Sequence, residues 1–569
     1  MTEPVHYKVW PPGVPHTLEV GEETIWDRFA ARAVATPDEP GLHFLGRRYS
    51  WRELVDSAQR LAGALQMLGV GPGDRVVLFS QNSPQFVIAL HAVIRCGAVV
   101  VPLNPMNKAI ELQHYIEDAQ ARVAIAASDV AGELAQASND LKAADALQHL
   151  VVFDIADAVP ADAELPAAWR HWLTARPARP TLLRGALHEW ASSLLAGDAR
   201  PQPVAQQVDQ LALLPYTSGT TGQPKGCMHT HRTLLHNALS GAPWLDMRPG
   251  DATLVVVPLF HITGLVMGML ASIALGCRIV LLPRWDRVTA ASAIAAHRVT
   301  HWPNIPTMVI DLLAAPELPQ FDLSSLRYIG GGGAPMPEAV AARLRDEFGL
   351  TYIEGYGLTE TAAPTHTNPR HAARLQCLGI PYLSTRACVV DPETLQPLPV
   401  GEVGEILVMG PQVFKGYWQQ PAATADALVE AQGQRWFRTG DLGRVDADGY
   451  FYLADRLKRM INASGFKVWP AEVESLLHRH PAVQEVCVIA RRDPYRGETV
   501  KAIVVPRAEH RDRVSAEELI DWARSNMAAY KYPREIEFAD SLPRSGTGKV
   551  MWRSLQDRQD ASDAATKAA

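Results

Sequence analysis

The stretch YTSGTTGQPKG, from Tyr216 to Gly226, packs three glycines, four aliphatic hydroxyls and one lysine into a single turn. It follows the short apolar run LALLP. A loop built this way suits a phosphate. Glycines let several backbone N–H groups converge on one anion. Thr217, Ser218, Thr220 and Thr221 add hydroxyl donors, and Lys225 adds a mobile positive charge. The spacing GxxxxGK[ST] occurs nowhere in the chain, so this is not the phosphate loop of P-loop ATPases and GTPases.

Further stretches carry chemistry-bearing residues. GGGGAP (330–335) and EGYGLTE (354–360) each close a predicted strand. FRTGD (437–441) lies in a region of short strands, DRLKRMINASGFKVWPAE (455–472) leads into a final segment, and PRSGTGK (543–549) ends in a lysine. Ligand sites of open α/β sheets lie beyond the carboxyl ends of the strands, where the first loop, GGGGAP and EGYGLTE fall.

The elements that must position these residues follow from periodicity. Apolar runs such as DRVVLFS (74–80), AVVVPL (98–103), ARVAIAA (121–127) and CRIVLLP (277–283) alternate with helical stretches such as 84–97. That pattern predicts parallel sheets covered on both faces. Residues 156–205, rich in Ala and Pro, read as a peripheral connection. After 370, short strands with Gly/Asp turns predict a β-subdomain with DADG as a hairpin turn. After about 458 an α+β module follows, with helices over 470–479 and 515–529 and a frayed C-terminal dozen residues. The expected fold is α/β: a large N-terminal domain of two α/β subdomains plus a β-subdomain (1–454), a hinge (455–458), and a small mobile α+β domain (459–569).

Composition narrows the classes. The chain has 569 residues, 47% hydrophobic and 20% charged, with a formal net charge of −7 and no basic tract. It exceeds one core, and its charge argues against nucleic acid as the main partner. Six scattered cysteines without a CxxC favour a reducing compartment, and the expected location is cytoplasmic. Leu254–Cys277 lacks Asp, Glu, Lys and Arg. Its Pro and Gly interruptions favour a buried strand and a buried helix over a membrane span; peripheral membrane contact stays open, as does oligomeric state, a homodimer included.

Taken in order and spacing, the motifs resemble the adenylate-forming superfamily of acyl- and aryl-CoA synthetases, peptide-synthetase adenylation domains and firefly luciferases, and most of all the fatty acyl-CoA synthetases. The resemblance runs from about residue 45 to 553. It implies attack of a carboxylate on the α-phosphate of MgATP, giving an acyl-adenylate, and then displacement of AMP by the thiol of coenzyme A. By the same resemblance, Thr217–Gly226, including Gly219 and Gly222, hold the β- and γ-phosphates, with Lys225 against pyrophosphate. Tyr356, between Gly355 and Gly357, stacks on adenine, and Gly331, Gly332, Gly333, Ala334 and Pro335 form the facing wall. Glu354 stands where relatives often carry Gln or Asn near the adenine amino group. Thr359 bonds the α-phosphate, Glu360 ligates Mg²⁺, Asp441 takes the ribose hydroxyls and Arg456 assists. Lys549 is the implied adenylation lysine and Lys458 the hinge. Ser464 and Gly465 lie by the pantetheine.

Taken singly, Tyr356 also fits a core aromatic, Asp441 a turn residue and Lys549 a solvated surface group; the ordered set decides for the site. His261 and Gly333 are expected beside the acyl pocket. Gly264, Gly268 and Ser272 recur at every fourth position, which reads either as an acyl channel or as close packing on a sheet. The expected substrate is a medium- or long-chain fatty acid, with an aryl or arylalkanoic acid as the alternative. A non-catalytic nucleotide-binding scaffold is the second class. No carrier segment follows, which disfavours a peptide-synthetase module.

Overall fold

The computed structural model describes residues 4–190, 200–217, 224–456, 459–463, 466–468, 470–493, 497–511, 513–527, 531–544 and 549–568. The chain divides into two compact units. The first comprises Met1–Arg386, Val408–Phe437 and Asp448–Tyr450; the second comprises Ala387–Leu407, Arg438–Ala447 and Phe451–Ala569. Segments 387–407 and 438–447, placed by sequence in the N-terminal domain, thus fall in the second unit. The cut by compactness is a different one from the hinge expected at 455–458.

Two large sheets organise the first unit. One has seven strands, in the spatial order 229–230, 211–213, 99–103, 75–79, 123–127, 149–153 and 186–189. Its inner strands run parallel, with Val76 opposite Val100 and Val123. Val77, Phe79, Val101, Ala124 and Val152 are fully buried. Strands buried on both faces need such continuous apolar runs rather than alternation. The helix Pro84–Arg95 starts where Ser83 Oγ accepts the N–H of Phe86 and proline occupies the first turn. The stretch read as a peripheral connection supplies the edge strand Ala186–Glu189.

The other sheet has nine strands, in the order 380–381, 363–367, 352–358, 328–331, 301–304, 252–255, 278–281, 40–44 and 47–50. Strands Tyr328–Gly331 and Tyr352–Leu358 are parallel neighbours, with Gly331 opposite Glu354. Both glycine-bearing motifs therefore leave the sheet side by side. The apolar stretch after Leu254 is strand Ala252–Val255 followed by a buried helix, as expected. Among the described residues no helix is long and apolar enough to cross a membrane.

Strands Gln434–Val445 and Phe451–Arg456 form the hairpin expected at DADG, with Val445 opposite Phe451 and Asp441 opposite Arg456. In the second unit, the α+β module pairs Val483–Asp493 with Gly497–Pro506, and Glu535–Phe538 runs parallel to the latter. Helices Pro470–Leu477 and Ala516–Asn526 cover it through Val473, Leu477, Leu519 and Ala523. One expectation is corrected here. Residues 558–568, expected to be frayed, continue the helix Trp552–Ala568. Leu555, in a cluster with Cys487 and Ile489, anchors that helix. None of the six cysteines is in a disulfide.

Candidate active site

The stem of the first loop is a two-residue ladder, with Lys225 opposite Thr217 and Gly226 opposite Tyr216. Ser218, Gly219, Thr220, Thr221 and Gly222 lie outside the described residues. The stem is held from three sides. Tyr216 Oη donates to Asp118 at 2.6 Å. His114 Nε2 donates to the carbonyl of Pro224 at 2.8 Å. Segment 415–418 runs antiparallel to 226–228, through Trp418 N–H to Gly226 O and Met228 N–H to Gly416 O.

That segment also reaches the LTE turn. The N–H of Phe414 donates to Glu360 O at 2.8 Å. Tyr417 Oη donates to Glu360 Oε1 at 2.8 Å. The ammonium of Lys225 sits 4.8 Å from the centre of the same tyrosine ring. Thus the structure brings together Lys225 and Glu360, two candidates far apart in sequence, through a tyrosine that motif reading missed.

Thr359 is placed by two further residues that sequence reading missed. His229 Nε2 donates to Thr359 O at 2.7 Å. Burial lowers the His229 pKa to about 4, so the ring stays neutral near pH 7. Asn237, on the helix His231–Leu245, donates to the carbonyls of Thr361, Ala362 and Pro364. These bonds fix a turn in which Ala362 and Ala363 have φ of 50° and 83°, a left-handed conformation that alanine does not adopt unaided.

The facing wall depends on absent side chains. A Cβ at Gly331 would lie 1.8 Å from Asn304 O, and one at Gly332 would lie 2.2 Å from Gly355 O. No other residue fits, so Gly332 and Gly355 approach backbone to backbone. Gly333, Ala334 and Pro335 are exposed, and Tyr356 is half-buried, its ring 5.8 Å from His366. Glu354 is 6% exposed, and its Oε1 accepts the N–H groups of Met336 at 3.3 Å and Gln376 at 2.9 Å. This carboxylate braces the wall. Burial raises its pKa to about 6 against the pull of those donors.

Asp441 and Lys549 belong to the second unit. Asp441 is 1% exposed, and its N–H donates to Thr439 Oγ1. Thr439 Oγ1 in turn donates to Ile406 O at 2.7 Å. The backbone of Arg456 pairs with Asp441. Lys549 is exposed, one residue from the bridge Arg544–Val550 that closes its loop. Lys458, Ser464 and Gly465 lie outside the described residues.

The small-residue stripe lies in close packing. Residues 264–270 form a π-helical stretch continued by the α-helix Ala271–Leu275. A Cβ on Gly264 would lie 2.4 Å from Pro258 O, and one on Gly268 would lie 3.2 Å from Val255. Ser272 Oγ donates to Gly268 O at 2.6 Å. Gly264 packs on the backbone at 257–258 and Gly268 on Val255, contacts that support the close-packing reading of the stripe. His261 Nδ1 accepts the N–H of Thr263 at 3.3 Å, a helix-start contact. Asn82 ties down the preceding loop through Leu259 N–H, Val257 O and Leu282 O. Gly268→Leu should overpack this contact, costing about 1–3 kcal/mol. It should lower activity on every acid by a similar factor, read from kcat/KM across chain lengths beside a melting curve. A shift toward shorter acids at unchanged melting temperature would restore the channel.

The first unit's residues fit a nucleoside triphosphate with its cation. Gly331 and Gly332 leave the strand end without side chains, as a flat base would require, and Lys225 brings a cationic side-chain type. Glu360 offers the hard oxygen that Mg²⁺ prefers. Among the described residues no three His, Cys, Asp or Glu side chains form a metal cluster.

A family model described as AMP-binding enzyme matches residues 29–418, and one described as AMP-binding enzyme C-terminal domain matches 472–549. A long-chain-fatty-acid–CoA ligase of Bacillus subtilis is 35% identical over 97% of this chain and 97% of its own. A feruloyl-CoA synthase of an Amycolatopsis species is 37% identical over 93% of this chain and 97% of its own. The crystal structure of the anthranilate CoA ligase AuaEII in complex with anthranoyl-AMP has a TM-score of 0.78 at 27% identity, covering 95% of this chain and 98% of its own. By the two family models and the extent of these relatives, the chain belongs to the AMP-binding enzyme family and is an AMP-forming acid–thiol ligase.

Proposed function

We propose that the protein joins a fatty acid of medium or long chain to coenzyme A through an acyl-adenylate. The observation that carries the apolar substrate is the charge-free, buried run around the helix 262–275, which offers no partner to a second charge on the acid. The long-chain-fatty-acid–CoA ligase among its relatives agrees with it. An aryl acid is the second reading, favoured by the feruloyl-CoA synthase at 37% identity.

In this reading the chain works by charge placement rather than by a covalent nucleophile. The substrate carboxylate attacks the α-phosphorus, and pyrophosphate leaves. Lys225 receives charge on the leaving group, and Lys549 receives charge between the carboxylate and the α-phosphate. Thr359 bonds the α-phosphate, and Asp441 holds the ribose. Glu360 would hold Mg²⁺, which supplies charge neutralisation on the phosphates. In the second step the CoA thiol gives up its proton and attacks the acyl carbon, and AMP leaves. Ser464 and Gly465 would line the thiol's approach, and Lys458 would be the pivot between steps.

An acid panel from acetate to palmitate, with benzoate, phenylacetate and ferulate, tests the substrate. Pyrophosphate release and thioester formation should both peak on straight chains of about eight or more carbons, about 0.8 kcal/mol being gained per buried methylene. A peak on ferulate or benzoate would replace the fatty acid by an aryl acid. Nucleotide binding with no turnover on any acid would leave the scaffold reading.

A further inference from the structure

The sequence places Lys225 and Glu360 in separate motifs, yet one side chain touches both. Tyr417 sits in GYWQQP, a segment to which motif reading gave no role. Its hydroxyl donates to Glu360 Oε1 at 2.8 Å, and its ring face carries the Lys225 ammonium at 4.8 Å. We propose that Tyr417 is a positioning residue that sets the metal-binding carboxylate and the phosphate-loop lysine in one fixed relation. The proposal rests on the roles given above to Glu360 and Lys225.

The backbone around Tyr417 is held too firmly for the contact to be incidental. Tyr417 forms an antiparallel bridge with Cys227, and its N–H donates to Thr424 Oγ1 at 2.9 Å. Gly416 has φ of 139°, and a Cβ there would lie 2.5 Å from Thr424 Cγ2, so the turn presenting Tyr417 requires glycine. Phe414 stacks edge-on against the Tyr417 ring at 4.8 Å. Phe414 is itself buried with Cys227 and Phe437.

The two contacts are chemically distinct, which makes them separable. The hydroxyl orients a carboxylate oxygen; hydrogen bonds to charged groups are the stronger kind. The ring attracts an ammonium through its face. Tyr417→Phe removes the first and keeps the second. Tyr417→Leu removes both.

The test is Mn²⁺ binding to the full chain in the presence of a non-hydrolysable ATP analogue, read by electron paramagnetic resonance. It is paired with KM for ATP and kcat of pyrophosphate exchange at saturating Mg²⁺. Tyr417→Phe should weaken Mn²⁺ binding about tenfold and leave the KM for ATP at saturating metal near wild type. Tyr417→Leu should weaken Mn²⁺ binding similarly and also raise that KM about threefold or more. Glu360→Gln is the control. If it leaves Mn²⁺ binding unchanged, the metal reading of Glu360 fails and the proposal with it. If Glu360→Gln loses Mn²⁺ while Tyr417→Phe binds it normally, the metal reading stands and the role of Tyr417 is overturned. Melting curves of all three variants set the temperature of the measurement below unfolding, so a packing loss is read separately.

Discussion

Lys549→Ala should slow acyl-adenylate formation by on the order of 10²–10³, while supplied acyl-adenylate and CoA still give thioester at close to the wild-type rate. The asymmetry is the informative part. A preorganised charge that meets the α-phosphate and the carboxylate only while they react contributes to one transition state and not to the other. Local structure makes the variant readable. Lys549 is exposed, and its loop is closed by the Arg544–Val550 bridge and by Met551 N–H to Pro543 O at 2.7 Å. Those are backbone contacts that alanine preserves. An exposed substitution of this kind costs within about 0.5 kcal/mol of stability, so a large rate loss reports chemistry. Equal loss in both half-reactions at an unchanged melting temperature would remove Lys549 from the adenylation step.

Much of the framework was legible because it rests on repeating patterns. Continuous apolar runs between helices predicted buried parallel strands, and Val76, Val100 and Val123 do stand in parallel register. Strand-end residue types were legible too: Gly331 and Gly332 stand where a Cβ would meet the backbone of a neighbouring strand. What stayed hidden are polar side chains that brace loops. His229, Asn237 and Asn82 act through hydrogen bonds to backbone groups more than a hundred residues away, and a lone polar residue has no periodicity to betray it. Tyr417 was hidden for the same reason, since its partners lie at 225 and 360. The stripe at 264, 268 and 272 was ambiguous in another way: glycine opens space, but it equally lets a helix close on a strand, and the 3.2 Å approach of Val255 to a Cβ at Gly268 supports the second use. The C-terminal helix was missed because its sequence is polar and Ala-rich, and its anchorage comes from Leu555 near its start.

Glu354 supplies a prediction with a pH signature. Its pKa rises from 4.5 to about 6 on folding, chiefly by burial. A carboxyl with a raised native pKa holds its proton more tightly folded than unfolded. Its contribution to stability is therefore fully present below about pH 4.5 and is lost as pH rises through about 6. The shift corresponds to about 2 kcal/mol of cost near neutrality. Glu354→Gln removes the ionisation and keeps an amide oxygen to accept from Met336 and Gln376. The variant should be more stable than wild type by up to about 2 kcal/mol at pH 7, and the gain should vanish near pH 4.5. Glu354→Ala should behave oppositely. It leaves two buried N–H groups without their acceptor, costing about 1–3 kcal/mol, and frees the glycine wall, so the KM for ATP should rise. Urea unfolding of the three proteins from about pH 4.5 to 7.5 measures the differences. A stability difference between wild type and Glu354→Gln that stays flat across that range would mean that Glu354 does not titrate in the folded protein as its burial demands. The carboxylate would then owe its place to its backbone donors alone, and the wall at Gly331–Pro335 would be braced equally well at every pH.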